Sequence, residues 1–161
     1  MANIQVAIMM GSKSDLSIME EAAKILNDFG VMNEIKVLSA HRTPVETARY
    51  AEEFRAKGGK VFICGAGVSA ALAGVVAAHT TLPVIGVPID ASPLNGMDAL
   101  LSTVQMPPGV PVGAVAIGKS GAKNAALLAI RILSLTDGSF EKKLEQFKEE
   151  QKKKILDIKI S

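Results

Sequence analysis

Aromatic side chains are scarce in this chain of 161 residues. Phe, Trp and Tyr together make up 4% of the sequence, with no Trp and a single Tyr. Proteins that bind single-stranded nucleic acid usually combine a basic surface with aromatic side chains on which bases stack. Basic and acidic side chains are balanced here, because residues 1–138 carry 11 of each. We therefore expect no nucleic-acid partner.

Cysteine and histidine are equally rare. Cys64 is the single cysteine, which excludes an internal disulfide, and the two histidines are His41 and His79. Neither a cluster of carboxylates nor a Gly-x-Ser-x-Gly motif accompanies them, so the sequence indicates no metal site and no activated serine. We expect no metal and no organic cofactor. Cys64 is interpreted as a core residue that ends a strand, and His79 as a residue at a helix end.

Long apolar segments are also missing. The most apolar helix-like run, residues 68–78, has 11 residues, whereas a membrane-spanning helix needs about 20. The first residues do not show the basic flank and apolar stretch of a secretory signal. We expect a cytoplasmic protein that does not contact a membrane.

Short apolar runs, by contrast, recur along the chain. Hydrophobic residues make up 48% of the sequence, which is enough to form one full core. Strands are predicted at residues 4–10, 34–38, 60–64, 83–87 and 112–117, with helical patterns between them. This alternation implies a parallel sheet covered by helices on both faces. The predicted fold class is α/β, with three layers, five parallel strands and a flavodoxin-like size.

Helix signals separate these strands. The first helix is expected to follow a cap at Ser14 or Asp15 and to stop at Gly30. The segment Thr43-Pro-Val-Glu46 has the pattern of a capping box with Pro at the first helical position. Further helices are predicted over residues 68–78, 96–103, 122–133 and 139–159. The last is amphipathic, so we divide the chain into a catalytic domain, 1–138, and a C-terminal helix, 139–161, that packs on that domain or on a neighbouring subunit.

Polar and glycine-rich segments follow the first three predicted strands. They are Gly11-Ser-Lys-Ser-Asp15, Ser39-Ala-His-Arg-Thr-Pro44 and Gly65-Ala-Gly67. Ligands of open parallel sheets bind at the carboxyl ends of the strands. We therefore expect the three segments to meet in one crevice.

The first segment has the features of an anion site. Gly11 permits a tight turn, Ser12 and Ser14 offer hydroxyl groups, and the start of the next helix offers free N–H groups that favour a phosphate. The carboxylate of Asp15 would be repelled by a phosphate, so we expect it to accept hydrogen bonds from a ribose. An ordinary helix cap is the structural alternative for the same residues.

The second segment adds a guanidinium and an imidazole. Arg42 precedes the second helix, where it can bind a phosphate through two hydrogen bonds. His41 is the one side chain in the three segments that exchanges protons readily near neutral pH. The structural alternative is that His41 donates to a backbone carbonyl while Arg42 pairs with Glu46. The sequence thus predicts an anion cradle, a sugar anchor and one acid/base group.

Six segments, in this order and at this spacing, closely resemble the 5-(carboxyamino)imidazole ribonucleotide mutase family. Besides the three above, they are Leu82-Pro-Val-Ile-Gly-Val-Pro88, Val104-Gln-Met-Pro-Pro-Gly-Val-Pro-Val112 and Lys123-Asn-Ala-Ala-Leu-Leu-Ala129. The resemblance implies a flavodoxin-like subunit of a homo-octamer with sites between subunits. It also implies an isomerase of de novo purine synthesis that moves a carboxylate to ring carbon 4 of its ribonucleotide substrate.

The resemblance also implies roles for individual residues. His41 would be the catalytic acid/base. The expected substrate-binding residues are Gly11, Ser12, Ser14, Asp15, Ser39, Ala40, Arg42, Gly65, Ala66, Gly67, Ser69 and Leu72.

One segment departs from the mutase pattern. Val68-Ser-Ala-Ala-Leu-Ala-Gly74 places Ala71 where the bacterial mutase usually has a second His. Ser69 and the Ala-Leu-x-Gly pattern are similar to the related aminoimidazole ribonucleotide carboxylases, which take carbon dioxide directly and typically have Lys at the position of Arg42. Direct carboxylation is therefore one alternative. A non-catalytic ribonucleotide- or flavin-binding module on the same fold is another.

Overall fold

A parallel sheet lies at the centre of the protein, whose computed structural model describes residues 3–160. Its strands are β1 (Val6–Met10), β2 (Asn33–Val37), β3 (Val61–Gly67), β4 (Val84–Ile89) and β5 (Gly113–Ala114). They are arranged in the order β2-β1-β3-β4-β5, and each neighbouring pair is parallel. The predicted five-stranded, flavodoxin-like α/β fold is confirmed.

Helices connect these strands and cover the sheet. They are α1 (Leu16–Asp28), α2 (Pro44–Phe54), α3 (Leu72–Ala78), α4 (Met97–Val104), α5 (Gly118–Ser134) and α6 (Gly138–Leu156). A 3-10 turn, Lys13–Asp15, precedes α1, and α1 stops before Gly30, whose φ of 76° is easily reached only by glycine. In the part of the chain that the structure describes, none of these helices is long and apolar enough to span a membrane.

Alternating residues of β1 supply two separate cores. Val6, Ile8 and Met10 pack into a cluster with the alanine-rich side of α5 and the apolar side of α1. Ala7 and Met9 point to the opposite face, where α2 and α3 cover the sheet. Because successive strand residues face opposite sides, a strand buried on both faces is apolar throughout. The predicted three-layer arrangement follows directly.

Two strands, β3 and β5, differ most from their predicted bounds. β3 continues through Gly67, because Gly65, Ala66 and Gly67 still pair with the end of β4. The glycines that were expected to form a loop therefore belong to the strand. β5 has two residues where residues 112–117 were predicted. It is an edge strand and follows Pro111, which has no N–H to donate to a ladder.

The start of α3 also differs from the prediction. Residues 68–71 do not form its first turn, because Val68 has a left-handed φ of 56° and the chain turns tightly there. The N–H of Ala70 bonds to the Val68 carbonyl at 3.0 Å, and that of Ala71 to the Ser69 carbonyl at 2.7 Å. The helix begins at Leu72, so the preceding turn is left free to line the crevice above the sheet.

The C-terminal helix packs on its own domain over its first half. Phe140 is buried, Leu144 and Phe147 contact the core beside α1 and α5, and the Phe147 ring meets Phe29 edge-on at 5.8 Å between centroids. Beyond this contact the apolar side chains are exposed, including Ile155 and Ile158. The first half of α6 therefore packs on its own subunit, and its second half carries exposed apolar side chains.

Candidate active site

The three predicted segments meet in one open cavity of about 490 Å³ at the carboxyl ends of β1, β2 and β3. Every expected substrate-binding residue except Gly65 lines it, as does His41. The strands that carry the segments are neighbours in the sheet, with β1 between β2 and β3. The carboxyl ends of parallel strands therefore bring residues from three loops together.

Gly65 is the expected residue that the structure places elsewhere. It is buried in β3, and a Cβ added to it would collide with the side chain of Met19 on α1. The position requires glycine because the strand and the helix pack closely, which is a structural role. Gly65 is therefore not among the residues that line the cavity, and its expected part in substrate binding stays a prediction.

Three further residues line the cavity, although the sequence did not predict that they bind substrate. Val68 and Ala71 come from the turn before α3, and Ala91 follows β4. Ala91 was missed because the fourth strand was predicted to end at residue 87, whereas it ends at Ile89. The rule that residues after each strand line the crevice would have identified it if the strand end had been correct.

The serines of the first loop form a local hydrogen-bond network. Ser12 Oγ accepts from the backbone N–H of Ser14 at 3.3 Å and caps the 3-10 turn. The Ser14 hydroxyl lies 2.9 Å from Ser12 Oγ and 3.2 Å from Asp15 Oδ1, and its single proton serves one of them at a time. The Ser12 hydroxyl retains a proton that it can donate into the cavity.

Asp15 does not cap α1, contrary to one of the two caps expected for that helix. It occupies the N-cap position without a side-chain hydrogen bond to the helix. The residue is 7% exposed and its carboxylate lines the cavity. Burial raises the pKa of the Asp15 carboxyl, although the Ser14 hydrogen bond and the Arg42 guanidinium act to lower it. The Asp15 carboxylate is therefore a hydrogen-bond acceptor at the cavity and does not cap α1.

Arg42 joins the first two loops. Its guanidinium Nη2 donates to the carbonyl of Gly11 at 2.6 Å, and its Nε lies 3.4 Å from Ser39 Oγ. No ion pair with Glu46 is found among residues 3–160, so the structural alternative for Arg42 is not what forms. The guanidinium contributes positive charge where two helix N-termini converge.

His41 lies at the centre of the second loop, exposed at the cavity. Its imidazole makes no side-chain hydrogen bond within the described range 3–160, so the alternative of a histidine bound to a backbone carbonyl does not hold there. The ring is available to a ligand. Its position beside Ser12, Asp15 and Arg42 is suited to moving a proton on an anionic substrate.

The loop that carries His41 is not closed by the predicted capping box. Thr43 occupies the N-cap of α2 and Pro44 the first helical position, as expected, but Thr43 makes no cap bond to the helix. Its N–H and its hydroxyl are bonded to Ser39 instead. Both groups that a capping box would use are therefore occupied.

The remaining titratable candidates lie away from the cavity. His79 is the C-cap of α3, at the opposite end from the cavity, and its Nδ1 is 2.9 Å from Glu52 Oε1. Cys64 is buried within β3, and burial raises the pKa of its thiol. Across residues 3–160, no three side chains of the His, Cys, Asp and Glu types are grouped so that they could hold a metal ion.

The flavodoxin-like sheet and the cavity that holds both His41 and Arg42 indicate the class of this protein. The chain belongs to the AIR carboxylase family, whose model matches residues 5–154. The chain is 54% identical over 149 residues to the N5-carboxyaminoimidazole ribonucleotide mutase of Pyrococcus abyssi, covering 92% of this chain and 84% of that protein. It is 53% identical over 152 residues to the protein of the same name from Bacillus subtilis, covering 94% of each.

Solved structures agree with this assignment. A variant of PurE2 from Treponema denticola superposes with a TM-score of 0.87 at 33% identity, covering 96% of this chain and 95% of that chain. Treponema denticola PurE superposes with a TM-score of 0.82 at 34% identity, covering 94% of each. The family predicted from six sequence segments is confirmed.

Proposed function

We propose that this protein converts 5-(carboxyamino)imidazole ribonucleotide to 4-carboxy-5-aminoimidazole ribonucleotide in de novo purine synthesis, with His41 as general acid/base. The observation that carries the proposal is the single cavity that brings His41 together with Ser12, Asp15 and Arg42. The names of relatives that share about half of their residues with this chain, over nearly its full length, support the same reaction.

Each part of the substrate has a matching group in the cavity. The phosphate meets the Arg42 guanidinium and the N–H groups at the starts of the 3-10 turn and α2, where helix dipoles favour an anion. The Ser12 hydroxyl donates to the same phosphate. The Asp15 carboxylate accepts from the ribose hydroxyls, which stabilises its buried charge.

The reaction needs one proton carrier and a closed space. The carbamate C–N bond breaks, its electron pair stays on the exocyclic nitrogen, which takes up a proton donated by His41, and carbon dioxide is released inside the cavity. Ring carbon 4 attacks that carbon dioxide and forms the new C–C bond. His41 removes the proton from carbon 4 and restores the aromatic ring. The cavity of one subunit is open, so a neighbouring subunit of the proposed octamer must cover it to keep the carbon dioxide from escaping.

Direct carboxylation of aminoimidazole ribonucleotide by carbon dioxide is the second candidate. The turn before α3 favours it, because Ser69 and Ala71 line the cavity at the positions where this sequence resembles the carboxylase branch. A flavin-binding module has no such support. Within the described chain, the residues that line the cavity include no phenyl, phenol or indole ring on which a flavin could stack.

We also propose that the protein is a cytoplasmic homo-octamer in which residues 1–138 form the catalytic domain and α6 extends towards a neighbour. Exposed apolar side chains support the assembly. Met97, Leu101 and Val104 lie on one side of α4 and are 52%, 50% and 49% exposed. A stripe of this kind on a helix is typical of a surface that a partner covers.

The test compares two substrates and two histidine variants. Wild-type protein should convert carboxyaminoimidazole ribonucleotide at low bicarbonate, as followed by product absorbance. His41→Asn should fold and bind the ribonucleotide but lose roughly 10²- to 10⁴-fold in turnover, the usual contribution of one proton-transfer group.

His79→Asn is the matched control, because His79 lies outside the cavity and should leave turnover near normal. Conversion of aminoimidazole ribonucleotide but not of carboxyaminoimidazole ribonucleotide, at a rate that rises with dissolved carbon dioxide, would assign the protein to the carboxylase branch. Near-normal activity of His41→Asn would remove His41 as the acid/base.

A further inference from the structure

The loop from Ser39 to Thr43 carries His41 at its centre, and one side chain ties its two ends together. Thr43 Oγ1 accepts from the backbone N–H of Ser39 at 2.8 Å and donates to the Ser39 carbonyl at 3.1 Å. The backbone N–H of Thr43 donates to the same carbonyl at 2.9 Å. The loop is therefore closed on itself at both ends.

A second threonine supports this closure from inside the fold. Thr47 is fully buried in α2, and its hydroxyl donates to the Thr43 carbonyl at 2.8 Å while lying 3.4 Å from the Ser39 carbonyl. Helical threonines often bond to the carbonyl four residues back. Here that carbonyl belongs to the last residue of the His41 loop, so the bond attaches the loop to the rigid helix.

We propose that Thr43 is a positioning residue for His41 and that Thr47 holds Thr43 in place. This inference rests on the proposed function, in which His41 moves the proton. The imidazole has no side-chain hydrogen bond of its own within residues 3–160, so its direction is set by the backbone of the loop.

Arg42, in the same loop, has an additional anchor. Its guanidinium is bonded to the Gly11 carbonyl of the first loop, so it does not depend on Thr43 alone. Loss of the Thr43 hydroxyl should therefore disturb the imidazole more than the guanidinium. Turnover should fall while substrate affinity changes less.

The test compares Thr43→Val, which removes the hydroxyl and keeps the side-chain shape, with Thr43→Ser, which keeps the hydroxyl. Thr43→Val should lower kcat roughly 10- to 100-fold, as expected when a reacting group is displaced by about 1 Å, with a much smaller change in KM. Thr43→Ser should restore most of the wild-type kcat. Thr47→Val should lower kcat in the same direction by a smaller factor.

Thr103→Val is the matched control for lost stability. Thr103 is 3% exposed, and its hydroxyl donates to the Ala99 carbonyl at 2.7 Å, four residues back in α4 and away from the His41 loop. This variant should lose melting temperature and keep kcat. If Thr103→Val lost as much kcat as Thr43→Val, or if Thr43→Ser were no better than Thr43→Val, the positioning role would be overturned.

A second measurement does not depend on turnover. The chain has two histidines, so protein labelled with carbon-13 at histidine Cε1 gives one NMR signal from each imidazole, and the His41→Asn variant assigns the two signals. Thr43→Val should shift and broaden the His41 signal and leave the His79 signal unchanged. An unaltered His41 signal would overturn the proposal. If wild-type protein turned over neither imidazole ribonucleotide, the proposed function would fail instead, and the NMR comparison would decide the role of Thr43.

Discussion

The buried carboxylate of Asp15 lowers the stability of the ligand-free protein. The carboxylate is almost buried, its hydrogen-bond donor is the neutral Ser14 hydroxyl, and burial raises its pKa. An ionised group in this environment is less stable than the same group in water. Functional sites commonly retain such groups because the ligand supplies the missing interactions.

Asp15→Asn should therefore raise the melting temperature of the ligand-free protein at neutral pH. The folded-state pKa lies above the ordinary value of 3.8, so wild-type stability falls as the pH rises through the interval between these two values. The advantage of the variant should be present at pH 7 and disappear as the pH approaches 3.8. Substrate affinity should fall about 10- to 100-fold, since a hydrogen bond to a charged group contributes roughly 1.5–3 kcal/mol.

Asp137 provides a control of opposite sign. It accepts a hydrogen bond from the backbone N–H of Ser139 at 2.9 Å as the cap of α6, and hydrogen bonds from the side chain and the backbone of Ser139 lower its pKa. Asp137→Ala should reduce the melting temperature at neutral pH, and the reduction should vanish as the pH falls through the lowered pKa. Thermal unfolding from pH 7.5 down to a pH below the lowered pKa of Asp137 measures both variants. A lower melting temperature for Asp15→Asn at pH 7 would contradict the account of its burial.

At the residue scale, side chains that bind phosphate or carry protons were easier to predict from the sequence than residues that line the cavity only because of backbone packing. Ser12, His41 and Arg42 were recognised because few side-chain types bind phosphate or carry protons, and each follows a strand. Gly65 was expected at the cavity because a glycine required for close packing has the same sequence signal as a glycine beside a ligand. Ala91 carries no chemical signal at all, and only the strand end places it in the cavity.

At the element scale, the ends of β3 and β4 form part of the cavity wall. Gly67 is the last residue of β3, and a Cβ built on it would lie 2.6 Å from the Cβ of Ala91 and 3.2 Å from the carbonyl of Ile89. The chain therefore approaches closely at Gly67 and Ala91, which both line the cavity. Gly11 differs, since nothing lies within 4 Å of a Cβ added there.

These two glycines should respond to alanine in different ways. Gly67→Ala should lower the free energy of unfolding by about 1–3 kcal/mol, the usual cost of overpacking, and should also reduce activity. Gly11→Ala should leave stability unchanged and weaken ribonucleotide binding, because the added methyl group would occupy space at the proposed phosphate position. Denaturant unfolding and ligand titration separate the outcomes. Unchanged stability of Gly67→Ala would mean that the strand ends can move apart.

Element types were predictable from sequence, and their ends were not. The apolar runs and the helical periodicity of this chain determine which segments are strands and which are helices. The ends depend on tertiary pairing: β3 extends to Gly67 because β4 offers partners, and α3 starts late because Val68 turns the chain. The predicted capping box does not form for a similar reason, because the backbone of Ser39 binds the hydroxyl and the N–H of Thr43.

At the scale of the whole molecule, the apolar side of α4 is the feature that a single subunit does not explain. The opposite side of this helix is buried, with Ala99 and Thr103 packed inward. Three large apolar side chains remain half-exposed on its outer side. In the proposed octamer this side is an interface between subunits.

Leu101→Glu should therefore dissociate the assembly. The stability of the isolated subunit should change by less than about 0.5 kcal/mol, as for most surface substitutions, because Leu101 is half-exposed. Sedimentation should show a particle much smaller than eight subunits of 16.9 kDa. Leu135→Glu, the same change at a more exposed leucine at the end of α5, should leave the mass unchanged. An intact octamer in the Leu101→Glu variant would remove α4 from the interface.

The single thiol of the chain lies in the central region of the sheet, where it is useful as a reporter. Cys64 is buried on β3, between β1 and β4, and no other cysteine competes with it. A reagent that alkylates thiols can reach it only when the sheet opens, and the raised pKa of the thiol suppresses reaction in the closed state. The rate of labelling thus measures the opening of the core in unmodified protein, without an added probe.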